Sequence, residues 1–486
     1  MKLNILKYII PVFLLTLFSC EDFLTEDPIS IVSPDSFFQS ESDFNLAVLG
    51  AYGTLSGRAL YGWWAPATQA GITLEVTTAP NKIEYQLSFD STYGTAALFW
   101  GAYYKLINQC NLILSKIDDA DIPEEVKKEL EGETLFLRGL AYFDLTRLYG
   151  GVPLHLKPTL SVVDTSLPRA SVAECYAQII DDLKKAEAAL LIENSFTKGR
   201  AAKVSAAGLL AKVYLTMAGE PLQDNSKLQL AHTKLLEIVN KDNPSVSKKP
   251  YVNALEADYQ SLFVVGTKTG GVTVPANENG PESIFEINFT KIGDGTQGNV
   301  FPNVGWVFGN KRASPWLYKM YDDEDYRRSV SYKSNKIQLK WPKTTATFDD
   351  HESNWHYLRY ADLVLMFAEV ENEINGPTDL ALRAINAVRE RARNANGTPS
   401  AEPANYTAVE ATSQDVFRDL VEMERRIELA LEGGTWFDWM RTGKIQEMVE
   451  MQNANGRVYR DAIKLFPIPL QDVSLSGGVL IQNPGY

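Results

Sequence analysis

Apolar residues recur every three or four positions over most of the chain, which predicts helices. The strongest stretch opens after Pro123 and ends at Gly150, with a stripe of leucines running through its second half. Phe136, Phe143 and Tyr149 lie off that stripe, so the helix is apolar on more than one face. We therefore predict a central core helix. Glycine ends it because glycine takes the left-handed C-cap conformation at no steric cost.

The same period predicts nine further helices. A helix capped by Ser42 or Asp43 carries Phe44 to Leu55, and the others are Leu98–Ile117, Val172–Leu191, Lys203–Met217, Leu228–Val239, Leu358–Glu373, Leu380–Asn394, Val416–Glu432 and Thr435–Arg441. The stretch from Lys203 to Gly219 alternates small and large residues, as in tetratricopeptide-type helix pairs that approach closely. No strict 34-residue consensus repeats, so the sequence indicates helix pairs rather than clean repeats.

Two long segments lack this period, at residues 58–92 and 241–350. Both are rich in glycine, proline and aromatic residues, and Ser283–Thr290 alternates like a strand. Long aperiodic segments in compact domains are usually functional or disordered, and the aromatic residues argue against disorder. The sequence thus predicts a mainly α fold, with a tetratricopeptide-like helix-pair scaffold, an irregular loop-rich half and a few short strands.

The N-terminus has the pattern of a targeting segment. Lys2 and Lys7 precede an apolar run, Ile9–Phe18, that is too short to span a membrane. The run ends in a lipobox-like string before Cys20, although Phe18 is bulkier than usual there, and two acidic residues follow the cysteine. We predict a signal peptide at residues 1–19, a lipid-modified Cys20 and one domain at residues 20–486. An ordinary secretory peptide cut elsewhere is the alternative.

Composition narrows the function further. The formal net charge of −14 argues against nucleic acid, which needs a basic surface. No later apolar run reaches the length of about 18 residues that a membrane span needs. Cys110 and Cys175 both lie in apolar helical contexts, which favours buried thiols, and a single bridge between them stays open.

The sequence offers little catalytic chemistry. His351 and His356 are five residues apart, which does not place both on one helical face as a zinc protease requires. The acidic run Asp322–Asp325 lacks the glycine and spacing of an EF-hand loop, so a solvated acidic turn is the better interpretation. Nucleophile-elbow and P-loop motifs are absent from the sequence. A glycoside hydrolase needs only two suitably spaced carboxylates and remains the rival class.

Five strings in the chain are distinctive: RGLAYFDLTRLYGGVPL at 138–154, RYADLVLMFAEVENE at 359–373, INAVRER at 385–391, ERRIELALEGGTWFDWMRTG at 424–443 and LIQNPGY at 480–486. They resemble the SusD/RagB family of surface lipoproteins from Bacteroidetes-like bacteria. The fourth string departs from the family pattern at Ala430 and Thr435, where an aromatic residue and an arginine are usual. The resemblance spans the chain and weakens at 58–92 and 241–350.

The resemblance implies a helical protein on the outer face of the outer membrane, anchored only by lipid. Such proteins cap a SusC-like TonB-dependent transporter as a hinged lid, and bind oligosaccharides or, in some members, peptides. They are not enzymes. For this chain we predict no cofactor and no metal-site residues, and a structural cation stays open. The two segments where the resemblance weakens correspond to the variable ligand-binding regions of the family.

Aromatic residues in these two segments are the candidate ligand contacts, because flat rings match the apolar faces of sugars. The first segment offers Trp63, Trp64 and Tyr85 with the polar neighbour Asn81, and the second offers Trp306 and Trp316 with Arg312. We predict that at least two of the five aromatic residues line one shared surface. One of the adjacent Trp63 and Trp64 should face the core.

Trp436 and Trp439 invite the same interpretation, since tryptophan and arginine dominate binding hot spots and Arg441 follows. They are three apart on a short helix and should pack inward together. We predict a structural role for this pair.

Overall fold

The computed structural model describes residues 37–486 with internal gaps. The gaps are residues 63–64, 66–67, 70–71, 74–75, 78–81, 160, 162–166, 194–198, 264–267, 270–271, 274–277, 290–311, 314, 334–336, 339, 341–353, 396 and 453–455. Cys20 and the predicted signal peptide therefore lie outside the described residues. None of the described helices is both long and apolar enough to cross a membrane.

Helices dominate the described chain. In order they are α1 (Glu41–Leu55), α2 (Lys82–Gln86), α3 (Gly94–Ile117), α4 (Glu124–Tyr149), α5 (Val172–Ala189), α6 (Lys203–Ala218), α7 (Ser226–Ile238), α8 (Pro315–Tyr318), α9 (Tyr326–Ser331), α10 (Tyr360–Asn375), α11 (Asp379–Ala392), α12 (Gln414–Glu428), α13 (Thr435–Arg441), α14 (Ile445–Gln452) and α15 (Leu470–Leu475). Short 3-10 turns cover Tyr259–Phe263 and Asp461–Lys464.

The strands are short and pair antiparallel, two by two. They are β1 (Val76–Thr77), β2 (Lys268–Thr269), β3 (Val272–Thr273), β4 (Ser283–Ile287), β5 (Arg312–Ala313), β6 (Tyr332–Lys333), β7 (Ile337–Gln338), β8 (Trp355–Arg359), β9 (Asn394–Ala395) and β10 (Thr398–Pro399). The pairs are β1 with β5, β2 with β3, β4 with β8, β6 with β7, and β9 with β10. Most of these pairs lie in or next to the aperiodic segments.

Helix α4 is the centre of the core, as its pattern predicts. Nearly every residue from Glu129 to Tyr149 is buried, and α1, α3 and α5 pack around it. Gly132 and Gly139 allow α5 to approach, because a Cβ at either position would lie 3.0–3.2 Å from Leu183, Ala189 or Leu190. Gly150 ends the helix with a φ of 77°, a conformation that favours glycine.

The helices stack in antiparallel pairs, which confirms the predicted tetratricopeptide-like scaffold. Helix α4 packs on α5, α6 on α7, and α10 on α11. Between pairs, α5 contacts α6 and α7 contacts α10, so the scaffold is continuous. Capping boxes begin two of these elements, with Ser40 and Asp43 at α1 and Ser171 and Glu174 at α5. Ser40 is thus the cap of α1, not Ser42 or Asp43 as the sequence suggested.

Two predicted boundaries are wrong for identifiable reasons. The helix expected from Leu358 starts at Tyr360, because Leu358 and Arg359 are the last residues of β8 and pair with β4. The helix expected to run to Glu432 ends at Glu428. Leu431 has a φ of 65°, and the backbone carbonyls of Glu428 and Ala430 accept hydrogen bonds from Lys340 Nζ instead of continuing the helix.

Both helical cysteines are free and buried, so no bridge joins Cys110 to Cys175. Burial raises the pKa of the Cys110 thiol to about 12. Cys175 lies against the chain that leaves α4, with its sulfur 3.5 Å from the amide nitrogen of Val152. These thiols act as small apolar core residues.

A cluster of buried charges joins the scaffold to the irregular half. Glu428, at the end of α12, accepts hydrogen bonds from Arg327 Nη1 at 2.9 Å, from Arg359 Nη1 at 2.7 Å and from Arg391. Lys340, from the second aperiodic segment, lies 2.6 Å from the carboxylate of Glu432, and Arg359 binds the same carboxylate. Burial disfavours the Glu428 carboxylate, but its three arginines outweigh that effect and hold its pKa far below the usual range.

We expect Glu428→Gln to lower the free energy of unfolding by about 3–5 kcal/mol, because it leaves buried arginines without their shared counter-charge. Chemical denaturation followed by circular dichroism measures the loss. Glu373→Gln is the matched control: the Glu373–Arg418 pair is partly exposed, with side-chain exposures of 20% and 32%, and should contribute about 0–1 kcal/mol. Equal losses in the two variants would contradict a dominant role for the buried cluster.

Candidate functional site

The predicted ligand residues divide into described and undescribed positions. Trp63, Trp64, Asn81 and Trp306 lie outside the described residues. Tyr85 and Trp316 are described with their side chains, whereas Arg312 is placed by its backbone alone. The structure therefore bears on the arrangement of the two segments more than on individual contacts, and the shared aromatic surface stays a prediction.

The two aperiodic segments meet at a strand pair. In β1 and β5, Val76 is opposite Ala313 and Thr77 is opposite Arg312. Tyr85 follows β1 on helix α2, and Trp316 follows β5 on helix α8. Residues far apart in the sequence are thus brought to one region of the molecule, and Arg312 lies at the junction.

Tyr85 lies on a helix of five residues that is half embedded in the protein. Its neighbour Glu84 is buried and accepts a 2.6 Å hydrogen bond from the hydroxyl of Tyr93, which fixes one face of α2. The side chain of Ile83 on the same helix is 45% exposed, and that of Tyr85 is half-buried. The helix thus presents an apolar side chain and part of a tyrosine at the surface.

Arg457 holds this segment to the scaffold, although no sequence pattern indicated this role. Its Nη1 donates to the Tyr85 carbonyl at 3.1 Å and its Nη2 donates to the Ile72 carbonyl, so it bridges both ends of the segment around β1. Gln452 adds a 2.6 Å bond from Nε2 to the Thr73 carbonyl. Burial lowers the pKa of Arg457 to about 9. A lone arginine in a loop has no pattern that predicts backbone carbonyls as its partners.

Trp316 packs against the scaffold with part of its surface exposed. Its ring lies 6.0 Å from that of Trp439, and Trp439 lies 6.3 Å from Trp436. The Trp316 Nε1 is buried and has no hydrogen-bond partner within the described part of the chain. Trp316 therefore links the second aperiodic segment to α13.

The structural interpretation of Trp436 and Trp439 is confirmed, since they are 3% and 2% exposed. Arg441 is also buried: its Nε donates to Asp438 at 2.8 Å and its Nη2 donates to Glu369 at 2.8 Å. This arginine is fully engaged in tying α13 to α10. These three residues pack inside the protein next to Trp316 and are not part of the candidate ligand surface.

The candidates for metal or acid–base chemistry have structural partners. His351 lies outside the described residues, and His356 is buried with Nδ1 3.0 Å from Glu286 and Nε2 2.9 Å from the Leu262 carbonyl. Burial disfavours the protonated ring, but Glu286 outweighs it and raises the pKa of His356. Within the described residues, no group of three or more potential ligands is placed to hold a metal ion.

The acidic run before α9 is only partly a solvated turn. The first three residues are exposed, but Asp325 is buried and caps α9 by accepting the backbone N–H of Arg327 at 2.9 Å. The Arg327 guanidinium also pairs with Asp325 at 2.8 Å. The expectation of a solvated turn is therefore wrong for Asp325, because Arg327 provides a buried counter-charge.

A tetratricopeptide-like helix scaffold under an irregular half is the class of fold that the described residues define, and comparisons identify the family. The model of the SusD family matches residues 321–486, and the model described as starch-binding associating with outer membrane matches residues 35–215. SusD-like protein P25 of Formosa agariphila is 27% identical over 99% of each chain. The chain belongs to the SusD/RagB family.

Solved structures agree with this assignment at the level of the fold. A SusD superfamily protein from Parabacteroides distasonis is 24% identical with a TM-score of 0.75, and the match covers 92% of this chain and 100% of that one. Surface glycan-binding protein A from Bacteroides thetaiotaomicron, solved in complex with laminarihexaose, is 19% identical with a TM-score of 0.71. That match covers 91% of this chain and 99% of the other.

Truncation of Trp439 and Trp316 tests which of the two rings has a structural role. Trp439→Ala should lower the free energy of unfolding by about 3–5 kcal/mol, as truncation of a large buried side chain does. Trp316→Ala should cost less, because its ring is partly exposed. Thermal and urea unfolding measure both. An unchanged melting temperature for Trp439→Ala together with lost ligand binding would assign Trp439 to the ligand site instead.

Proposed function

We propose that this protein is a cell-surface lipoprotein that captures oligosaccharides and acts as the lid of a SusC-like TonB-dependent transporter. The observation that carries the binding role is the β1–β5 pair, which joins the two aromatic-bearing segments on a rigid family scaffold. The complex of a structural neighbour with laminarihexaose supports a glycan as the ligand. Family membership supports the transporter as the partner.

The ligand surface in this proposal combines aromatic rings and polar neighbours. Tyr85 and Trp316 are two of its members, with Trp63, Trp64 and Trp306 as further candidates, because sugar rings stack on flat side chains. We propose that Asn81 and Arg312 form hydrogen bonds with the sugar hydroxyl groups. These bonds give specificity, because a buried polar group without a partner costs free energy. The role is capture and release, so the proposal assigns no catalytic residue and no cofactor.

Calorimetric titration of the mature chain with laminarihexaose and maltohexaose tests the binding role. We expect wild type to bind at least one glycan. Single alanine variants of Trp63, Trp64, Tyr85, Trp306 and Trp316 should include at least two that bind about 30-fold more weakly, because truncating a hot-spot aromatic costs about 2 kcal/mol.

Tyr406→Ala is the control, since Tyr406 stacks on Arg389 in the scaffold at 3.9 Å and lies outside both segments. It should bind the glycan as wild type does. The site is misplaced if all five variants stay folded and retain wild-type affinity.

The proposed location at the cell surface depends on lipid attachment at Cys20. We also propose that residues 20–486 form one domain. Several acyl chains on one residue anchor a protein stably, at about 0.8 kcal/mol per buried methylene group. The family description that mentions association with the outer membrane supports this location.

Cys20→Ala should therefore release the protein from the membrane fraction, measured by pelleting outer membranes and by labelling intact cells with antibody. Cys110→Ala carries the same substitution at a buried thiol and should stay membrane-bound. Retention of the Cys20→Ala protein on the cell surface would contradict lipid anchoring.

A further inference from the structure

A cavity lies in the scaffold and shares no lining residue with the candidate glycan surface. It has a volume of about 140 Å³ and opens between the end of α4, the start of α5, the end of α6 and helix α13. Its walls are mostly apolar, with Val172, Pro221, Phe437, Met440 and Leu465 among them. An apolar protein cavity of about 150 Å³ stays dry and accepts a guest the size of benzene. This cavity therefore has room for about one six-membered ring.

Tyr176 and Arg147 are two of the polar residues in the cavity wall. Tyr176 is 3% exposed, and its hydroxyl has no hydrogen-bond partner within the described part of the chain. Arg147 is buried, with its guanidinium packed between the rings of Phe143 at 4.0 Å and Phe437 at 3.9 Å. Its Nη2 donates to Asp144, but its Nε is buried without an acceptor among the described residues. Both groups can donate a hydrogen bond to a ligand in the cavity.

The charged residues in the cavity wall are mostly cationic. Arg147, Arg441 and Lys464 line the cavity, whereas Glu220 is its one lining carboxylate among the described residues. The carboxylates that neutralise Arg147 and Arg441 lie behind them, outside the lining. Glu220 and Lys464 are each 38% exposed, with Nζ and Oε2 3.6 Å apart, so they form a weak ion pair at the solvent side. The lining itself thus holds three cationic side chains and one carboxylate among the described residues.

We propose that this cavity binds a small carboxylate with an apolar body, with the body against Phe437, Met440 and Leu465. The carboxylate accepts hydrogen bonds from the Tyr176 hydroxyl and the Arg147 guanidinium. An anion fits because hydrogen bonds between arginine and a carboxylate are charge-assisted and stronger than neutral ones, and because the described residues leave the Tyr176 hydroxyl without a partner. The site is independent of the proposed glycan site, which lies on the aperiodic segments.

Benzoate is the probe, titrated into the mature chain and followed by calorimetry and by chemical shifts of the tyrosine rings. We expect saturable binding and a raised melting temperature. Benzyl alcohol has the same ring without the charge and should bind about tenfold more weakly, since charge-assisted hydrogen bonds are about twice as strong as neutral ones. Absence of saturable benzoate binding, or equal affinity for benzyl alcohol, would overturn the proposal.

Two variants and a control locate the site. Tyr176→Phe removes only the hydroxyl and should weaken benzoate about fivefold, as the loss of one hydrogen bond does. Val172→Phe fills the cavity and should abolish binding. Tyr104→Phe is the matched control, because that hydroxyl bonds the Pro153 carbonyl at 2.9 Å and lies outside the lining. Wild-type benzoate affinity in both Tyr176→Phe and Val172→Phe would place the ligand elsewhere, and laminarihexaose affinity should be unchanged in all three.

Discussion

The buried charges around Glu428 are the constraint on which the two halves of the structure depend. Arg327 from α9, Arg359 from β8 and Arg391 from α11 converge on one carboxylate at the end of α12. Removing these charges from water costs free energy, so each must find its partners in one arrangement only. Because α9 and β8 border the irregular half, this requirement fixes that half against the scaffold.

The same cluster explains why family strings mark the scaffold and not the ligand. The strings at 359–373, 385–391 and 424–443 contribute Arg359, Arg391 and Glu428 to this cluster. The C-terminal string is likewise a clasp: Asn483 donates its amide hydrogens to the carbonyls of Tyr149 at 3.0 Å and Phe466 at 2.7 Å. A resemblance built from such residues establishes the fold and leaves ligand identity to the segments outside it.

Sequence periodicity predicted what depends on local pattern. The burial of α4, the helix pairs and the inward packing of Trp436 and Trp439 follow from spacing, because an apolar face must be covered. The start of α10 and the end of α12 were not predictable in this way. They are set by pairing of β8 with a strand about 70 residues earlier and by hydrogen bonds from Lys340, and neither leaves a periodic signal. The role of Arg457 next to the candidate site was not predictable either, because its partners are backbone carbonyls.

The proposed function requires that a captured ligand is held on segments that the scaffold supports. The scaffold is held by buried charges and by close packing along α4, and opening either is costly. The segment around β1 is held by hydrogen bonds from Arg457 and Gln452 to its carbonyls, and by Ile72, Leu87 and Phe89, which are buried in the core. The proposed ligand residues therefore lie on segments that are tied to the scaffold at a few positions, so their sequence can vary without a change in the packing of α4 beneath them.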